Sequence, residues 1–151
     1  MKMYRVGYTA GVYDMFHIGH LNVIRNAKQL CDNLIVAVST DELVRNEKGV
    51  VPIIPFQERV QIVQALRYVD QVVAQESYAI EGKIQAAKKY GADVMFVGDD
   101  WKGSAKWNEI EQRLAEIGVD VVYLPHTDGI SSTMLRELLK TDADKKTENR
   151  Q

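Results

Sequence analysis

The sequence predicts an α/β protein, a single doubly wound parallel sheet of five strands with helices on both faces. Three observations predict it. Short apolar runs alternate with stretches of helical periodicity along nearly the whole chain. The run Leu34-Ile35-Val36-Ala37-Val38 is apolar at every position, as a strand buried on both faces of a parallel sheet must be. Finally, polar clusters follow four of these strands, on the carboxyl-terminal rim where such sheets bind ligands.

The elements follow in order. Tyr4, Val6 and Tyr8 alternate as a first strand, which hands over at Gly11–His20 to a first helix. That helix carries Val23, Ile24, Ala27, Leu30 and Cys31 on one face, so Cys31 reads as a buried structural thiol. Asp32-Asn33 reads as a helix stop and turn before the second strand. Ser39-Thr40-Asp41-Glu42 ends that strand, and a loop through Arg45, Lys48 and Gly49 leads to Pro52 and Pro55. A helix with Val60, Ile62, Val63 and Leu66 facing in precedes a third strand over 69–74. Ile80, Ile84 and Ala87 mark the next helix, which Gly91 closes. Val94–Val97 is a fourth strand, Trp107, Ile110, Leu114 and Ile117 a further helix, and 119–124 the fifth strand. The last helix starts at Ser131 and turns Leu135, Leu138 and Leu139 inward. The expected domain is 1–140, with 141–151 a polar, disordered tail of almost no apolar content.

Composition narrows the function classes. At 151 residues, 46% hydrophobic and 26% charged, the chain suits one soluble core. A net charge of −2 argues against a nucleic-acid-binding surface, so an anion site must come from local clustering of cations. No run is long enough to span a membrane, and the N-terminus enters a strand pattern directly, without signal-peptide character. A single cysteine excludes an internal disulfide and fits a reducing cytoplasm.

Two segments carry the chemistry. In Gly11-Val12-Tyr13-Asp14-Met15-Phe16-His17-Ile18-Gly19-His20, two imidazoles three residues apart sit where a helix begins. Unpaired backbone N–H groups and the dipole favour an anion there, and Gly19 permits close approach. The competing readings are a capping or surface histidine, or a zinc centre shared with His126, the third histidine. In Ile130-Ser131-Ser132-Thr133-Met134-Leu135-Arg136, three hydroxyls open the last helix. One serves as a cap, and the others with Arg136 suit a phosphate chain.

Together these segments resemble the small nucleotidyltransferases. Ser39-Thr40-Asp41, Glu58-Arg59, Arg67-Tyr68-Val69-Asp70, Gly98-Asp99-Asp100-Trp101 and Thr127-Asp128-Gly129-Ile130-Ser131 resemble the cytidylyltransferases among them, over about Val6 to Leu139. The resemblance implies a Rossmann-like nucleotidyltransferase fold and transfer of CMP from CTP to a small phosphorylated alcohol. Glycerol 3-phosphate is the first candidate, and choline and ethanolamine phosphates belong to related enzymes. It implies that His17 and His20 contact the triphosphate, and that Lys48 bridges the α-phosphate and the acceptor phosphate. It implies that Arg67 lies near the acceptor pocket and a subunit contact. It also implies that Gly98, Asp99, Asp100 and Trp101 form the base pocket. Gly11, Val12, Asp14, Gly19, His126, Thr127, Ile130, Ser131, Ser132, Thr133 and Arg136 complete the nucleotide site. Mg2+ is expected to arrive with the triphosphate, with no protein metal site, and a homodimer is implied.

Bland alternatives stand beside these roles: a solvated surface Lys48, a packing Trp101, an Asp14 bonded to its own turn, and a salt bridge from Arg59 or Arg67 to Asp70 or Glu58. The resemblance favours Arg67 over Arg59. His126 stands where the cytidylyltransferases usually carry arginine, and bound triphosphate is expected to protonate it, so that CTP affinity weakens as pH rises. Val51–Arg59 resembles adenylyltransferases acting on flavin mononucleotide or heptose phosphate, and a nucleotide-binding module without turnover is the non-enzyme alternative. A class I aminoacyl-tRNA synthetase fragment is set aside, since the chain is short and lacks a Lys-Met-Ser-Lys-Ser loop.

Overall fold

A computed structural model describes residues 2–148. Five parallel strands, β1 (Tyr4–Gly11), β2 (Cys31–Ser39), β3 (Gln71–Gln75), β4 (Val94–Gly98) and β5 (Asp120–Leu124), form one sheet in the order β3-β2-β1-β4-β5. The helices are α1 (Ile18–Leu30), α2 (Asp41–Lys48), α3 (Phe56–Gln64), α4 (Ile80–Tyr90), α5 (Ala105–Glu116) and α6 (Ser132–Glu148), and a 3₁₀ turn spans Asp99–Trp101. This is the expected doubly wound sheet, with its direction reversing between β1 and β4.

The side-chain period of two builds both cores from the same strands. Leu34, Val36 and Val38 face one side and pack with Ile24, Ala27, Val63, Val94 and Phe96. Ile35 and Ala37 face the other and join Tyr8, Ile84, Met95, Trp107, Ile110 and Leu114. At Gly7 an added Cβ would lie 2.5 Å from the Phe96 ring and 2.9 Å from Cys31 Sγ, so β1 needs glycine to seat those two residues. Cys31 is buried, as expected.

Several boundaries differ from the sequence reading. Asp32 and Asn33 form no turn: α1 passes straight into β2 at Cys31, whose N–H still donates to Lys28 O, and both polar residues point outward along the strand. The expected loop around Lys48 is helix α2. Thr40 Oγ1 accepts from Leu43 N–H, Asp41 and Glu42 lie in the first turn, Arg45 and Lys48 in the last, and Gly49 closes it at φ 70°. With only Leu43 and Val44 buried, α2 has too narrow an apolar stripe for periodicity to reveal. Ile62, expected inside, is exposed, as are Ile117 beyond the end of α5 and Leu138 and Leu139 on α6. The backbone of α6 is helical to Glu148, across most of the segment read as a tail, and residues 149–151 lie outside the described residues.

Candidate active site

The carboxyl ends of β1 and β4 open into a cleft of about 510 Å³, closed from the far side by α6. Its floor is the loop after β1. Tyr13 (φ 56°) and Met15 (φ 49°) both adopt left-handed backbone, an uncommon conformation for residues with a Cβ. This brackets Asp14 and turns its carboxylate inward. Asp14 is fully buried and takes Ile53 N–H at 2.8 Å, Ile54 N–H at 2.9 Å and the Arg136 guanidinium at 2.7 Å. Burial alone would raise its pKa, but these three donors hold it below the ordinary carboxylate value. Its carbonyl accepts from Ser132 Oγ at 2.5 Å. Asp14 thus joins residues far apart in the chain rather than its own turn.

His17 caps α1, its Nδ1 accepting from Gly19 N–H at 3.0 Å, while His20 Nδ1 accepts from His17 N–H at 3.2 Å. The rings stack with centroids 3.8 Å apart. Because each Nδ1 is an acceptor, each neutral ring carries its proton on Nε2. Burial lowers the pKa of both, that of His20 to about 4, where the neighbouring His17 adds to the effect. Both are therefore neutral donors near pH 7. Gly19 does more than permit an anion to approach: a Cβ there would lie 2.8 Å from His17 Cε1, so only glycine leaves room for the capping imidazole.

The α6 side supplies the opposing wall. Ser131 Oγ accepts from Met134 N–H and is the cap, which frees Ser132 for Asp14, while Thr133 and Ile130 line the cleft. Two buried donors, His17 Nε2 and Arg136 Nε, have no partner among the described residues. They come from the two separate motifs and meet on one cleft, the arrangement that an anionic ligand satisfies. Lys48, at the end of α2, enters the same cleft, where partial burial and then Arg136 lower its pKa. Gly98, Asp100 and the half-exposed Trp101 form the wall after β4, with Gly11, Val12 and Thr127 completing the lining.

Two expected residues stand outside this cleft. Arg67 is exposed and stacks over Tyr68, 5.0 Å from the ring centroid, while donating to its hydroxyl. Asp99 faces His126 Nδ1 at 2.6 Å, and His126 Nε2 faces Asp128 at 2.9 Å. The two carboxylates raise the pKa of His126. With both ring nitrogens so engaged and the Nδ1 atoms of His17 and His20 committed to amides, the zinc reading fails. Among the described residues no group of three His, Cys, Asp or Glu could hold a metal.

The sequence reading undervalued Arg59. Fully buried, it donates to Ile54 O, Val12 O and Ser39 O and pairs with Asp41 at 2.6 Å, and neither Asp70 nor Glu58 is its partner. Asp70 instead accepts from Lys28 at 2.5 Å. Tyr78, after β3, was also missed. Its signal would have been an aromatic residue at the carboxyl end of a strand, and nothing in the sequence tied it to Lys48.

Residues 8–138 match the family model described as cytidylyltransferase-like. The chain is 37% identical over 131 residues to the glycerol-3-phosphate cytidylyltransferase of Bacillus subtilis, covering 85% of this chain and 92% of the relative. It is 38% identical over 118 residues to the FAD synthase of Pyrococcus abyssi, covering 77% of each. The crystal structure of the lipopolysaccharide core biosynthesis protein from Thermoplasma volcanium shares the fold, with a TM-score of 0.67 at 23% identity over 82% of this chain and 97% of that one.

Proposed function

The chain belongs to the cytidylyltransferase-like family and is a nucleotidyltransferase, and from that premise we propose that it transfers CMP from CTP to a small phosphorylated alcohol, glycerol 3-phosphate first. The observation that carries this reading is the pair of unpartnered buried donors, His17 Nε2 and Arg136 Nε, facing one cleft from opposite motifs. An acceptor phosphate oxygen attacks the α-phosphorus, a new P–O bond forms, and the bond to the bridging oxygen breaks as pyrophosphate leaves. The acceptor is already anionic, so no general base is needed, and catalysis rests on positioning and on charge neutralisation.

The imidazole Nε2–H groups and the start of α1 stabilise charge on the departing pyrophosphate. Arg136, locked by Asp14, presents its remaining N–H groups to the same chain of phosphates, and Lys48 offsets charge at the reacting phosphorus. Mg2+ belongs to this reading as an ion that would arrive with the triphosphate, since the buried Asp14 carboxylate is already held by three donors. A cytoplasmic homodimer is part of the same reading, and would give the exposed Arg67 and Tyr68 a neighbour.

A second reading, adenylyl transfer from ATP to a flavin phosphate, rests on the similarity to FAD synthases. Pyrophosphate release is measured with CTP and ATP against glycerol 3-phosphate, choline phosphate, ethanolamine phosphate, a heptose phosphate and flavin mononucleotide. CTP with glycerol 3-phosphate should dominate, and turnover only with ATP would overturn the reading. His17→Ala should cut turnover by about 10²–10³, the usual cost of one lost transition-state donor. A binding module would lose affinity alone.

A further inference from the structure

The Lys48 ammonium sits 5.3 Å from the centroid of the Tyr78 ring, a cation over an aromatic face. Tyr78 belongs to the connection between β3 and α4, not to either motif. It is half-buried and held at two points: its hydroxyl donates to Ser39 Oγ at 2.9 Å and its carbonyl accepts from Lys106 Nζ at 2.7 Å, while Ser39 Oγ is itself held by donating to Gln75 Oε1 at 2.9 Å. Ser39 is itself fully buried at the end of β2. The ring is therefore a fixed surface on the sheet rim, whereas Lys48 is a flexible side chain at the last turn of α2, followed by left-handed Gly49. Burial and the nearby Arg136 both disfavour the charged lysine in the cleft. The aromatic face favours it without neutralising it.

We propose that Tyr78 is a positioning residue whose ring holds the charged Lys48 beside the reacting phosphates. A carboxylate in that place would hold the ammonium but cancel its charge. A ring holds it and leaves the charge available. This inference deepens the proposed transfer reaction and rests on it for its kinetic arm.

The test combines a double-mutant cycle with a measurement on the ligand-free protein. Tyr78→Leu should lower kcat about tenfold, within the range of a partly desolvated cation–π contact, with KM for CTP changed less than about twofold. Tyr78→Phe, which keeps the ring, should recover most of that loss. In a Lys48→Met background Tyr78→Leu should cost nothing further, because the side chain it positions is gone. Losses that add in full would overturn the proposal. In protein labelled with ¹³C at lysine Cε, the Lys48 signal, assigned by its absence in Lys48→Met, should lie upfield of the other lysines through the ring current and return on Tyr78→Leu. A Lys48 signal coincident with exposed lysines overturns the proposal even if no substrate pair turns over, and absent turnover with the shift intact overturns only the reaction assigned above.

Discussion

His17 and His20 stand as neutral donors in the cleft, while His126 lies between two carboxylates that favour its protonated form. The three differ because burial disfavours charge on the first two, whereas Asp99 and Asp128 favour it on the third. An NMR titration should find His20 at about 4, His17 below the ordinary 6.5 and His126 above it. Asp99→Asn should bring His126 back toward 6.5. The sign of the stability effect follows. Between about 4 and 6.5 the unfolded chain protonates His20 and the folded chain does not, so stability contributed at neutral pH is lost on acidification across that window. His126 acts oppositely: its contribution is complete below 6.5 and fades as pH rises through its raised value, and solvent exposure keeps it small. Three midpoints grouped near 6.5 would refute these three environments.

At the scale of elements, Arg59 is the junction. From α3 it reaches the loop after β1 at Val12, the end of β2 at Ser39, the start of α2 at Asp41 and the approach to α3 at Ile54. Its guanidinium supplies the donors that these strand ends lack, in a place where water cannot. Arg59→Leu removes the charge and strands those carbonyls. Urea unfolding should show a loss of about 3–5 kcal/mol, the scale of three carbonyls left without their donor, and the cleft loops should loosen together. Much of this level was legible in advance. The succession of strands and helices and most of the helix faces follow from alternation and periodicity, and Thr40 with Asp41, Glu42 and Gly49 carries a helix signature in a segment whose apolar stripe is too narrow for periodicity to show it. What the sequence hid were interactions with no periodic trace. Left-handed Tyr13 and Met15, the choice of Arg59 over Arg67 for burial, and the Tyr78–Lys48 contact all depend on which strand ends become neighbours.

For the molecule as a whole, scaffold and active site are separable. Among the described residues neither core cluster contains one from α6, and Met134, Leu138 and Leu139 are exposed, so the first turns of this helix add little to the hydrophobic body. Yet it supplies Ser132, Thr133 and Arg136 to the cleft. A chain ended after Gly129 should keep a cooperative unfolding transition and the circular dichroism of the sheet, while calorimetry detects no CTP binding. Loss of the transition itself would show that α6 is part of the folding core. The motifs at both ends of the sequence announced the site because each binds the same kind of group. The clasp between them, through Asp14, was invisible because both partners read as ligand contacts.

That clasp sets a schedule as well as a geometry. Asp14 and Arg136 are separated by 122 residues, so their bond closes one of the longest loops in the chain and forms after the local contacts have lowered its entropic cost. During synthesis the β1 loop emerges first and α6 last, at some 5–20 residues per second. For those seconds the nascent protein has its sheet rim and its histidines but no opposing wall. The cleft is therefore completed only after α6 has emerged, and a chain that stops short of α6 should be a folded body without its opposing wall.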